Sequence, residues 1–208
     1  GSLVFSETGF GVNGGQVRAL GGDARIDGVI GAVLPGPRLP QGLRIQGVAT
    51  AEGLRQAKEL GLVARLAQYA NGSANYTATI GARGGVSELL VASNLSGLGL
   101  TLPAPFAKTA EAVLPLRLDV SAVPASLIPD SAGKLHEQDQ IKLEIGRLAS
   151  VAYLRDVSGA EAKVLRGSIA VGLAADEAAP LPDDGVLANV NTPALDLDAW
   201  SAVLSHSA

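Results

Sequence analysis

Alternation with a period of two constrains this chain more than any other feature. In VLPLRLDV, Leu114, Leu116, Leu118 and Val120 alternate with Pro115, Arg117 and Asp119. Successive strand side chains point to opposite faces, so the run makes one oily face and one wet face. IKLEI repeats the pattern, with Ile141, Leu143 and Ile145 against Lys142 and Glu144, and NYTATI sets Tyr76, Ala78 and Ile80 against Thr77 and Thr79. Less regular strands are expected at Leu3–Phe5, Gln16–Leu20, Ala24–Ile30, Leu43–Val48, Glu88–Ala92, Leu148–Arg155, Val164–Val171 and Val186–Val190. Gly, Asn, Pro and Asp gather between them, as turns require. The expectation is a mainly β fold: an antiparallel, curved or groove-like sheet with a short helical insert, or a sandwich, since alternation builds any half-buried sheet.

The helical insert is expected at 51–69, inside TAEGLRQAKELGLVARLAQYANG. Thr50 suits an N-cap and Asn71-Gly72 a C-cap. Leu54, Ala57 and Leu60 share one helical face, and Leu62, Leu66 and Tyr69 resume the spacing. Gly61 costs about 1 kcal/mol in a helix interior, so two short helices broken there are as compatible as one long one. The insert is expected to cover an edge or end of the sheet. No linker divides the chain: the Pro-, Gly- and Asp-rich stretches 34–42 and 174–185 are short loops within a single β-rich segment, 3–206. Gly1 and Ser2 read as a cloning scar, and the remainder as an internal piece of something longer.

Composition removes several classes of function. The chain is 47% hydrophobic but only 3% aromatic, so it has few of the rings that stack on sugars or bases. A net charge of -4 with scattered cations leaves no positive footprint for nucleic acid. Without cysteine there is no disulfide framework and no thiolate metal site. No apolar run approaches the ~20 residues that span a bilayer.

The apparent catalytic motifs are weak. GFGVNG matches the dinucleotide fingerprint through Gly9, Gly11 and Gly14, but QVRAL after it reads as a strand, where the phosphates would need a helix N-terminus. A hairpin turn is the expected use of these glycines. HEQDQ, from His136, has Gln140 where a zincin needs its second histidine, and His206 is the only other one. Asp196 and Asp198 have the spacing of a weak cation site if strand-borne, but a wet strand face before a buried Trp200 is the plainer expectation. No nucleophile elbow and no ordered carboxylate pair is present, so no enzyme and no cofactor is expected.

One nearly uncharged stretch, SNLSGLGLTLPAPFAK, reads as a strand end, a glycine turn, a short strand Leu100–Leu102 and an extended Pro-x-Pro exit. It resembles a hallmark of the YhdP family, AsmA-like envelope proteins of Gram-negative bacteria. The resemblance rests on Ser93, Leu95, Gly97, Leu98, Leu102, Pro103, Pro105 and Lys108, followed by LPLRL. FSETGFGVNGGQVRALGGDARIDG, LRIQGVATAEGLRQA, RGSIAVGL and GVLANVNTPALDLDAWSAVL are similar to other parts of the family. The likeness runs from about Leu3 to Leu204.

The resemblance implies a long β-sheet folded into a groove, held in the inner membrane by a helix this chain lacks, and crossing the periplasm towards the outer membrane. It implies a role in moving phospholipid and outer-membrane homeostasis, with no catalytic residues, cofactor or metal. On that reading Leu100, Leu102, Leu114, Leu116, Leu118, Val120, Ile141, Leu143 and Ile145 are the candidate lipid contacts. Arg117, Asp119, Lys142 and Glu144 would face the periplasm. Aliphatic lining suits acyl chains, because each methylene removed from water is worth about 0.8 kcal/mol. The alternative is a closed, non-catalytic sandwich that places protein partners in the envelope. In a cut groove the exposed sheet edges favour self-association.

Overall fold

The computed structural model describes residues 1–5, 7, 9–31, 41–83, 86–124, 137–172, 179–193 and 195–205. These form β1 (Ser2–Phe5), β2 (Gly9–Ala19), β3 (Gly21–Gly31), β4 (Gly42–Thr50), β5 (Ala70–Arg83), β6 (Val86–Ser93), β7 (Leu98–Leu100), β8 (Leu116–Ala122), β9 (Gln138–Ile145), β10 (Ala149–Asp156), β11 (Lys163–Val171) and β12 (Gly185–Val190). Helices α1 (Ala51–Gln56), α2 (Leu62–Leu66) and α3 (Leu197–Ser205) complete the secondary structure, with two 3-10 turns at 58–60 and 67–69. The strand order is β1-β2-β3-β4-β5-β6-β8-β9-β10-β11-β12, with β7 beside β5 only. It is an open path with two ends, mostly antiparallel, and not a closed barrel among the described residues. One pairing, β11 with β12, is parallel.

The chain divides into two compact units: 1–78 with 93–115 and 192–208, and 79–92 with 116–191. In the first unit, the register of β1 to β4 lines up Phe5, Phe10 and Ile30, and then Leu3, Val12, Gly28 and Leu43, on one face. Gly9, Gly11 and Gly14 therefore lie inside β2 and not in a hairpin turn. An irregularity between Val12 and Gly15 takes up the extra residues, and Gly14 there has φ +63°. No helix follows, so the dinucleotide resemblance lapses. The Gly14 amide donates to Asp27 Oδ1 at 2.6 Å, and Arg25 Nε donates to Asp27 Oδ2 at 2.8 Å. Those bonds, the Arg25 one first, hold the Asp27 carboxyl below its ordinary range.

The helical insert is two short helices, as Gly61 permits. Thr50 caps α1: its Oγ1 accepts from the Gly53 amide at 2.9 Å while its own amide donates to Leu20 O at 2.9 Å. The insert's buried face is made of small residues, Ala51, Ala57, Ala64 and Ala67, each under a tenth exposed, as are Ala70 and Ala74 of the following β5. Small residues let α1 approach the β2–β3 turn so closely that a Cβ on Gly53 would lie 2.0 Å from the Leu20 carbonyl carbon. The expected Leu54–Ala57–Leu60 face is only partly realised. Ala57 is buried and Leu54 half-buried, whereas Leu60 is exposed, because α1 ends at Gln56 and the helical period does not carry across Ala57.

Candidate functional site

The second unit places the alternating strands side by side. Leu116, Leu118 and Val120 of β8 stand directly opposite Ile145, Leu143 and Ile141 of β9. The register continues through β10, β11 and β12, making three rows of one face: Leu116–Ile145–Ala149–Val171–Val190, Leu118–Leu143–Val151–Ile169–Ala188, and Val120–Ile141–Tyr153–Gly167–Val186. Every side chain in the rows is aliphatic or, at Tyr153, aromatic. With strands about 4.8 Å apart and rows two residues apart, the face measures about 19 Å across and about 13 Å along the strands. On the reverse face Arg117 opposes Glu144 and Asp119 opposes Lys142.

This apolar face is uncovered. All its side chains are half-buried or exposed; Gly167 is the only fully buried position in the rows. Val186 and Val190 of β12 remain 53% and 45% exposed. A strand packed under a second layer would have its inward residues buried to a tenth or less. The parallel step from β11 to β12 needs a crossover that passes over one face of the sheet. Ser168 Oγ donates to Ala179 O at 3.0 Å, and Ser168 and Ala170, both on the reverse face, are 2% exposed. At Ala179 the described end of the crossover therefore rests on the polar side, and the apolar rows keep their exposure.

The rows end on a charge pair. One step beyond Val120–Ile141–Tyr153, the register brings Ala122, Asp139 and Arg155 together on the same face. Arg155 Nε donates to Asp139 Oδ1 at 2.9 Å and Nη2 to Oδ2 at 2.5 Å. Their side chains keep 27% and 15% of their exposure, and the bond to Asp139 holds the Arg155 pKa above its ordinary value. Sixteen residues separate the two, so nothing in the sequence joins them.

The remaining candidates belong to the first unit. Leu102 and Leu114 are buried, at 7% and 8% exposure, and Leu100 packs on a small core of Ala51, Ala70, Ala74 and Leu98. These three leucines are covered by the protein itself. The surrounding motif is a staple. Ser93 Oγ donates to Asn75 O at 2.7 Å and accepts from the Leu95 amide at 3.0 Å. Gly97 O accepts from the Ser73 amide, and the Gly97 amide donates to Ala110 O at 2.7 Å. Lys108 Nζ gathers three carbonyls, donating to Leu95 O at 2.9 Å, to Leu98 O and to Thr109 O at 2.9 Å. Burial lowers its pKa, opposed by nearby Glu111. The backbones of Leu100 and Lys108 pair as a bridge, so the exit expected to be extended folds back through Pro103 and Pro105, with a cis Ala104–Pro105 bond.

Two weak candidates are resolved differently from expectation. Asp196 is not on a strand: its Oδ1 accepts from the Ala199 amide at 2.9 Å at the start of α3, and Asp198 lies in that helix's first turn. Trp200, expected buried, is half-exposed; its Nε1 donates to Ala104 O at 3.2 Å and its ring meets Phe106 edge-on at 5.5 Å. His136 and His206 lie outside the described residues. Among those described, no group of three acidic or histidine side chains could hold a metal ion, and no helix is long and apolar enough to cross a membrane.

The YhdP protein family matches the chain over residues 1–208. The chain belongs to the YhdP family. No curated protein and no solved structure matches it. Membership is consistent with a bacterial envelope protein of the lipid-transport type.

Sequence reasoning missed Ala149, Val151, Tyr153, Ile169, Val171, Val186, Ala188 and Val190 as members of the same face. In LASVAYLR both strand faces carry apolar residues, so the alternation that marks β8 and β9 is invisible there.

Proposed function

We propose that this chain is a periplasm-facing segment of a bridge-type lipid transporter, non-enzymatic, in which acyl chains of phospholipid travel over the apolar face of β8 to β12 between inner and outer membrane. The observation that supports this is the open face itself. Three apolar rows stand half-exposed, while Ala179 of the β11–β12 connection rests on the polar side. Aliphatic rows offer an acyl chain burial without hydrogen bonds that would fix it, which suits passage more than tight capture. Anchoring in the inner membrane belongs to this proposal through the family.

The test places a photo-crosslinking amino acid in the protein in bacterial cells, at 116, 118 or 120, and separately at 117 or 119. Phospholipid adducts detected by mass spectrometry are expected at the first set only. Absence from both sets, with the protein folded and expressed, would make the face an interface for another protein and favour the structural reading.

A further inference from the structure

We infer that the Asp139–Arg155 pair is a headgroup site that selects zwitterionic phospholipids, those bearing an ammonium group beside the phosphate. The inference rests on the proposed lipid path and adds what would be recognised on it. Three observations carry it. The pair lies on the same face as the rows, one step past Tyr153, so a lipid whose chains cover the rows brings its polar end there. Both partners are half-buried at the margin of an apolar surface, neither sealed away nor fully in water. And the pair leaves bonding capacity unused among the described residues.

Arg155 spends one N–H of Nε and one of Nη2 on Asp139. A guanidinium has five N–H donors, so three remain for phosphate oxygens. Each Asp139 oxygen retains a lone pair for an ammonium donor. The pair is neutral as a whole, and so is a zwitterionic headgroup; the two dipoles match head to tail. An anionic lipid would satisfy Arg155 and leave Asp139 facing unpaired negative charge. A headgroup can add its contacts without breaking the pair, because the phosphate takes the free guanidinium donors and the ammonium the free carboxylate lone pairs.

The experiment uses the cross-linker at 118 in cells and reads the headgroups of the adducts against those of the bulk membrane. Phosphatidylethanolamine is expected to be enriched over phosphatidylglycerol in the unmodified protein. Asp139→Asn should shift the ratio at least threefold towards phosphatidylglycerol. In case that variant folds poorly, the double change Asp139→Leu with Arg155→Leu replaces the pair by apolar side chains, which sheets tolerate. It should still yield adducts, now at the membrane's own ratio. No enrichment in the unmodified protein, or a ratio that neither variant moves, overturns the headgroup site and leaves the lipid path standing. No adducts at all remove the path, and the headgroup site with it.

Discussion

At Gly97, φ is +92° and an added Cβ would sit 2.3 Å from Ser73 O, whereas at Gly61, φ +54°, it would meet open space. Both glycines occupy conformations that L-residues avoid, but only one is also walled in by backbone. Gly61→Ala is therefore expected to cost about 1 kcal/mol, and Gly97→Ala more than about 2 kcal/mol, since the Ser73 carbonyl must move as well. Urea unfolding of the two variants checks this; equal losses would mean that the Ser73 contact yields freely. The family motif was legible in the sequence as a set of residue types, yet its physical purpose was not. Lys108 stands in the sequence only as a member of the motif, and the fold shows its ammonium closing a turn over three carbonyls.

At the scale of elements, most of the expected strands are present and several are longer than expected. The short strand expected at Leu100–Leu102 lies at Leu98–Leu100, β8 begins at Leu116 and leaves Leu114 outside it, and β10 begins at Ala149 instead of Leu148. The strand expected around Asp196 and Asp198 is absent. The C-terminal helix α3 was not expected. Its sequence, LDAWSAVLS, follows an Asp-rich strand-like run, and helicity there depends on the Asp196 cap and on Trp200 docking at the Ala104 carbonyl and the Phe106 ring. Trp200 is the only tryptophan, so its emission reports on that dock. Phe106→Ala is expected to shift the emission to the red and leave the far-ultraviolet strand signal intact. An unmoved emission maximum would show that the ring contact does not position α3. The parallel β11–β12 step was equally hidden. Both strands read as ordinary apolar runs, and direction of pairing is decided by the crossover between them.

For the molecule as a whole, the open sheet path leaves β1 and β12 as edge strands. β1 is exposed throughout, with Leu3, Val4 and Phe5 at 61%, 42% and 71%. Exposed apolar edges, even short ones, carry unpaired backbone groups that invite further strand pairing. Concentration-dependent association is therefore expected in sedimentation velocity, and Val4→Lys should suppress it by placing a charge on the edge. Association that is equally strong in that variant would locate the contact elsewhere, the open face of β8 to β12 being the next surface to alter.

The sequence by itself determined the class of the protein: period-two alternation sets strands with one oily face, and glycine, proline and cap residues set their limits, because those preferences act between near neighbours. It also carried the family likeness. Which leucines are core and which are surface was decided by the tertiary structure alone. Leu102 and Leu114 look like Leu116 and Leu118 in the sequence, but the first two are buried and the second two lie on an uncovered face. Burial is set by what the rest of the chain lays over a position. Here Ala179 rests on Ser168 over the polar face, while the fourteen side chains of the apolar rows, and the Asp139–Arg155 pair at their end, keep partial exposure.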